Sequence, residues 1–214
     1  MAKTFIITSA ERGSGKSTTA LNLALCWATL SKNVLLVDFN PQGWLRKLMG
    51  AADIGRKYHK HLFLNYLCTT DFTFRVDAEI DYVIIDVPFH CLSDFLTTNS
   101  QSAMIIVPIE AEYYGMNNLS LLFETLQNVH RKIDFFLPVM TRDSSEISLA
   151  LVDALRGRFG KHVYLPAIQR NYYLAHQTDF KEFDLIKLTN RAAVTYLNFA
   201  LFLADLKDKE HETT

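Results

Sequence analysis

A doubly wound α/β sandwich, with a mostly parallel sheet and helices on both faces, is the architecture this sequence predicts. Three observations lead there. Short apolar runs recur along the chain, amphipathic stretches of helical length separate them, and the runs are near-continuously hydrophobic rather than alternating. Strands covered on both faces have that composition, and strand–helix repetition is the signature of a three-layer α/β fold.

In chain order, strands are expected at 4–8 (Thr-Phe-Ile-Ile-Thr), 34–38 (Val-Leu-Leu-Val-Asp), 82–86 (Tyr-Val-Ile-Ile-Asp), 103–107 (Ala-Met-Ile-Ile-Val) and 133–138 (Ile-Asp-Phe-Phe-Leu-Pro), with a shorter candidate at 163–165. Helices are expected at 16–31, 43–49, 116–130, 145–159 and 190–206. The stretch from about 51 to 80, rich in His, Lys and aromatic residues, reads as a helix followed by an irregular link. With no repeat, low-complexity tract or Pro/Gly-rich linker, the 214 residues are expected to form one domain over 1–206 and a polar tail over 207–214.

Composition excludes several classes. The chain is 49% hydrophobic and 21% charged, with a mean hydropathy of +0.05, as in soluble globular proteins. Its apolar runs are strand-length, well short of the roughly 20 residues of a membrane span, and Met1-Ala2-Lys3 runs directly into a strand pattern without a signal-peptide profile. Cys26, Cys68 and Cys91 show no metal-ligand spacing and read as thiols of a reducing, cytoplasmic compartment. A net charge of −1 argues against coating nucleic acid by bulk charge, though not against a local basic patch.

The segment Ser9-Ala-Glu-Arg-Gly-Ser-Gly-Lys-Ser-Thr18 carries the chemistry. Gly13 and Gly15 follow a strand and open a helix, where glycine lets successive backbone N–H groups turn toward one point. The helix N-terminus adds partial positive charge. Lys16 is then placed to reach β- and γ-phosphates, and Ser17 to offer a hydroxyl to Mg²⁺. Ala10 stands where the strict G-x-x-x-x-G-K-[ST] pattern has its first glycine. A strand ending in Asp86 supplies a second carboxylate for the metal side, and Val87-Pro88-Phe89 would form a loop sensing the terminal phosphate.

Together these residues resemble the deviant-Walker ATPases of the ParA/MinD type. The family loop K-G-G-x-G-K-[ST]-T aligns with Glu11-Arg12-Gly13-Ser14-Gly15-Lys16-Ser17-Thr18, and D-x-D-P-Q-G with Asp38-Phe39-Asn40-Pro41-Gln42-Gly43. D-Y-x-x-I-D-x-P-P aligns with 81–89, the stretch 107–114 with the residues after the fourth strand, and 168–175 with the late I-P-R-N-x-x-L-A segment. The resemblance covers nearly the whole chain in order and implies a P-loop NTPase. It implies ATP and Mg²⁺ as cofactors, bound by residues 11–18, with Ser17, Asp38 and Asp86 on the metal side. Lys16, Asp38 and Asn40 stand at the catalytic positions, and Arg170 and Asn171 near the base. It further implies a homodimer formed on ATP binding, DNA held without sequence preference, and a ParB-like or cargo adaptor protein as partner. The expected role is partition or positioning of a plasmid or other cargo on the nucleoid.

Two positions depart from the family pattern. Glu11 replaces the lysine that reaches across the dimer to the partner's nucleotide, and a carboxylate facing a triphosphate repels it. Either Arg12 takes over that role through its phosphate-matching fork, or Glu11 points elsewhere, or the ATP dimer is weakened or rearranged. Asn40 replaces the aspartate that orients the attacking water. An amide still hydrogen-bonds water but cannot accept its proton, so slow or altered hydrolysis is expected; the alternative for Asn40 is a plain turn residue before Pro41.

Other residues are read more simply. His59 and His61 lack the i, i+4 spacing of a helical metal site and are expected to be exposed; His176 suits a surface role or a contact with nucleotide or partner, Trp44 either a dimer face or a half-buried helix start, and Tyr113 and Tyr114 packing rather than a stacking platform. Arg156, Arg158, Lys161 and His162, followed by Arg170, Lys181, Lys187 and Arg191, form the candidate DNA surface, against the bland alternative of a solvated face. Three other functions compete: a non-catalytic nucleotide-sensing scaffold, a MinD-like membrane positioner, which the polar tail disfavours, and a small-molecule kinase sharing the loop.

Overall fold

The computed structural model describes residues 2–40, 43–50, 53–61, 63–99, 103–111, 118–171 and 190–206; the side chains of Trp44 and of residues 59–61 are not described. The described residues include seven strands: β1 (Lys3–Ile7), β2 (Val34–Asp38), β3 (Lys57–His61), β4 (Leu64–Cys68), β5 (Tyr82–Asp86), β6 (Ala103–Glu110) and β7 (Phe135–Val139). They form one sheet in the order β3-β4-β2-β5-β1-β6-β7, parallel throughout except for β3, which runs antiparallel to β4 at one edge. The helices are α1 (Lys16–Thr29), α2 (Trp44–Leu48), α3 (Phe89–Thr98), α4 (Leu119–Asn128), α5 (Glu146–Phe159) and α6 (Arg191–Asp205).

Both sheet faces are buried, as the continuous apolar runs require. Phe5 and Ile7 of β1 pack with Leu36, Ile84, and residues of α1 and α6, whereas Ile6 between them faces the opposite core with Leu92, Phe95, Leu122 and Leu155 of α3, α4 and α5. The period-2 alternation of side chains thus divides β1, β2, β4, β5, β6 and β7 between two hydrophobic layers. Two helices start on side-chain caps legible in the sequence: Ser145 Oγ accepts from Ser148 N (3.3 Å) and Asn190 Oδ1 from Ala192 N (2.9 Å).

Two expectations are corrected. The stretch 51–80 contains the hairpin β3–β4 rather than a helix, because Leu64, Tyr66 and Cys68 bury one face of a strand against β2. The link after Asp86 is shorter than expected: α3 begins at Phe89, with only Val87 and Pro88 before it. The candidate strand 163–165 contributes a single bridge, Val163 to Phe136. Trp44's side chain, Tyr113, Tyr114, His176, Lys181, Lys187 and the tail 207–214 lie outside the described residues.

Candidate nucleotide site

Parallel strands deliver their carboxyl ends to one edge of the sheet, and there the register lines up Cys68, Asp38, Asp86 and Ile7 across β4, β2, β5 and β1. The loop 8–15 leaves β1 at the end of this row and turns into α1. Gly13 and Gly15 hold φ of 75° and 82°, the left-handed region that glycine enters without steric cost. At Gly15 a side chain would also press on Met140 Cε and Val139 Cγ2, at 3.3 and 3.5 Å.

Gly15 offers α1 no side-chain cap, so the first-turn amides stay available to an anion beside the loop. Lys16 Nζ donates to the Glu11 carbonyl (2.6 Å) and to Ser14 Oγ (3.4 Å), which keeps the ammonium folded over the loop. Burial lowers the Lys16 pKa from its ordinary value, while Asp86 and Glu11 oppose that shift. Behind the loop, Thr19 Oγ1 and Tyr196 Oη meet at 2.9 Å and join the first turn of α1 to α6.

On the metal side, Ser17 Oγ donates to Asp86 Oδ2 at 2.5 Å. Asp86 is buried, and desolvation together with the neighbouring Asp38 raises its pKa to about 7. Asp38, also buried, is raised to about 6 by desolvation, although Asn40 N and Tyr66 Oη each donate to it at 2.8 Å. Two buried carboxylates lie beside a single half-buried ammonium, an arrangement that a divalent cation relieves. Ser17, Asp86 and Asp38 therefore fit Mg²⁺, provided that phosphate and water oxygens complete its shell, as this ion prefers.

The remaining expected residues divide. Glu11 is turned aside: its Oε1 accepts from Asn118 Nδ2 at 2.6 Å, at the start of α4. Arg12 is exposed, and so is Asn40, whose side-chain amide lies 3.0 Å from where a Cβ at Gly43 would sit. Thr18 is half-buried in the first turn of α1. Arg170 pairs with Glu110 (2.9 Å) and its backbone bonds to Thr141, next to the Met140 that borders Gly15; Asn171 follows, half-buried.

The basic residues of the last third also separate. Arg156, Arg158, Lys161 and His162 are exposed around the C-terminal end of α5, whereas Arg170 and Arg191 meet acids, the latter Asp143 at 3.1 Å. Sequence reasoning missed Asn118 and Tyr66. Nothing local marks Asn118, and Tyr66 lies in the stretch read as a helix followed by an irregular link. No helix among the described residues is long and apolar enough to cross a membrane.

The model of the CobQ/CobB/MinD/ParA nucleotide binding domain matches residues 5–202. The chain belongs to this family. It is a family of P-loop ATPases, and the relatives of this member include partition proteins. The chromosome partitioning protein ParA of Myxococcus xanthus is 29% identical, over 89% of this chain and 84% of its own length. The chromosome-partitioning ATPase Soj of Thermus thermophilus is 30% identical, over 78% of this chain and 81% of its own. Among solved structures, cobyrinic acid a,c-diamide synthase of Mycobacterium smegmatis, with bound ADP and magnesium, shares the fold: TM-score 0.71 at 20% identity, covering 95% of this chain and 94% of that one.

Proposed function

We propose that this ParA/MinD-family member is a partition or positioning ATPase that binds ATP·Mg²⁺ at residues 11–18, Asp38 and Asp86. The observation that carries the reading is the convergence of Lys16, Ser17, Asp86 and Asp38 on one uncapped helix N-terminus. Bound magnesium would supply neutralisation of the phosphate oxygens. In this reading the chain's own residues divide the work. First-turn amides and Lys16 hold the phosphate oxygens, Ser17 and Asp86 orient toward the metal, and Asn40 hydrogen-bonds the attacking water without taking its proton. Turnover is accordingly slow.

ATP-bound copies pair as a nucleotide-sandwich dimer in which exposed Arg12 is the cation nearest the departed signature lysine. The dimer holds DNA without sequence preference through Arg156, Arg158 and Lys161, and a ParB-like or cargo adaptor couples it to a plasmid or other cargo. Single-turnover ATP hydrolysis by the protein and by Asn40→Asp tests the reading. Faster chemistry in the variant supports it, and a fast native enzyme indifferent to the change refutes the role given to Asn40.

One observation favours a second reading, a nucleotide-sensing scaffold without turnover: the cis contact of Glu11 with Asn118 removes this side chain from any partner's nucleotide. Hydrolysis that stays absent with DNA and adaptor present would select it.

A further inference from the structure

We infer that Tyr66 is a positioning residue that fixes the Asp38 carboxylate toward the metal side of the nucleotide site. The inference rests on the ATP·Mg²⁺ reading above.

β4 lies directly beside β2, with Tyr66 opposite Leu36 and Cys68 opposite Asp38. Side chains two positions apart share a face, so Tyr66 and Asp38 are diagonal neighbours across one strand pair. The Tyr66 ring is fully buried in the core layer shared with α1. Its hydroxyl donates to Asp38 Oδ2 at 2.8 Å within a buried contact and also meets the Cys68 thiol. Oδ1 of the same carboxylate accepts from Asn40 N, also at 2.8 Å. Donors on two different oxygens fix both the plane and the rotation of the carboxylate, as partners behind metal-ligating groups do.

The substitution at position 40 raises the importance of this contact. Asp38 is the sole carboxylate of the segment 38–43, and the other acid of the metal side, Asp86, comes from β5. A phenylalanine would fill the core with no hydroxyl to satisfy. Tyr66 therefore gives the core ring a polar end, and that end is spent on the carboxylate rather than on backbone.

The test is calorimetry of ADP binding across a series of Mg²⁺ concentrations, on the protein, Tyr66→Phe, Asp38→Asn and the double variant. Tyr66→Phe is expected to raise the Mg²⁺ concentration for half-maximal binding about tenfold, with ADP affinity in EDTA unchanged. On the Asp38→Asn background it is expected to add nothing, since coupled residues are non-additive. Phe5→Leu, a core change remote from Asp38, should leave the Mg²⁺ requirement alone.

An unchanged requirement in Tyr66→Phe overturns the inference, and so does an equal rise on both backgrounds. Should Tyr66→Phe lose its fold, ¹³Cζ-tyrosine NMR of the unsubstituted ADP complex decides. A Tyr66 shift on adding Mg²⁺ supports the inference, and its absence defeats it. ADP uptake that is independent of Mg²⁺, or missing, in the unsubstituted protein overturns the inference and the ATP·Mg²⁺ reading together. A normal wild-type response with a silent Tyr66→Phe overturns the inference alone.

Discussion

The carboxylate of Glu11 is held by the side-chain amide of Asn118, 2.6 Å apart across 107 positions of sequence. This carboxylate is thereby bonded within its own chain, and it ties the phosphate loop to the start of α4. Arg12, exposed beside it, is left as the loop's outward cation.

Replacing Glu11 by lysine exchanges a carboxylate held by Asn118 for an ammonium free to meet a triphosphate across the dimer. Analytical ultracentrifugation with ATP and Mg²⁺ is expected to show Glu11→Lys dimerising about tenfold more tightly, or about 1.4 kcal/mol. Asn118→Ala, which only frees the Glu11 carboxylate to solvent, should change stability by less than about 1 kcal/mol.

Gly15 is constrained twice, by its φ of 82° and by Met140 and Val139. Gly15→Ala should lower unfolding stability by about 1–2 kcal/mol in chemical denaturation and weaken nucleotide binding further by tilting the first-turn amides. At Gly13 nothing crowds the Cβ position, so only the backbone term applies and the loss should be smaller.

The buried carboxylates set a pH dependence with a definite sign. Asp38 and Asp86 rise from 3.8 to about 6 and about 7 on folding, so between those values the folded state binds more protons than the unfolded one. Their contribution is whole below pH 3.8 and is lost as pH rises through about 7. Thermal melts of the nucleotide-free protein should find Asp86→Asn more stable than wild type at pH 8 and the gap closing toward pH 5. Mg²⁺ and nucleotide should close it at pH 8 by stabilising only the wild type.

Much of this site was legible because its residues sit where strands end. The loop 9–18, Asp38 and Asp86 sit at ends of apolar runs, and such runs in β1, β2, β5, β6 and β7 mark strands buried on both faces. The edge hairpin was not legible. Lys57-Tyr-His-Lys-His61 has the charged composition with which an edge strand discourages further pairing, so no apolar run announces it. With β4 misread, Tyr66 could not be brought to Asp38, 28 positions away. Helix α3 did carry a pattern, Leu92, Phe95 and Leu96 at i, i+3 and i+4, hidden by the short link after Asp86.

The central claim is that the amides at residues 13–18 and the Lys16 ammonium hold a magnesium-bound triphosphate. Isothermal calorimetry of a non-hydrolysable ATP analogue with Mg²⁺ tests it most directly. Saturable binding that falls at least about a hundredfold in Lys16→Ala, near 2.7 kcal/mol, is the predicted result. No binding by the native protein, or equal binding by the variant, would contradict it.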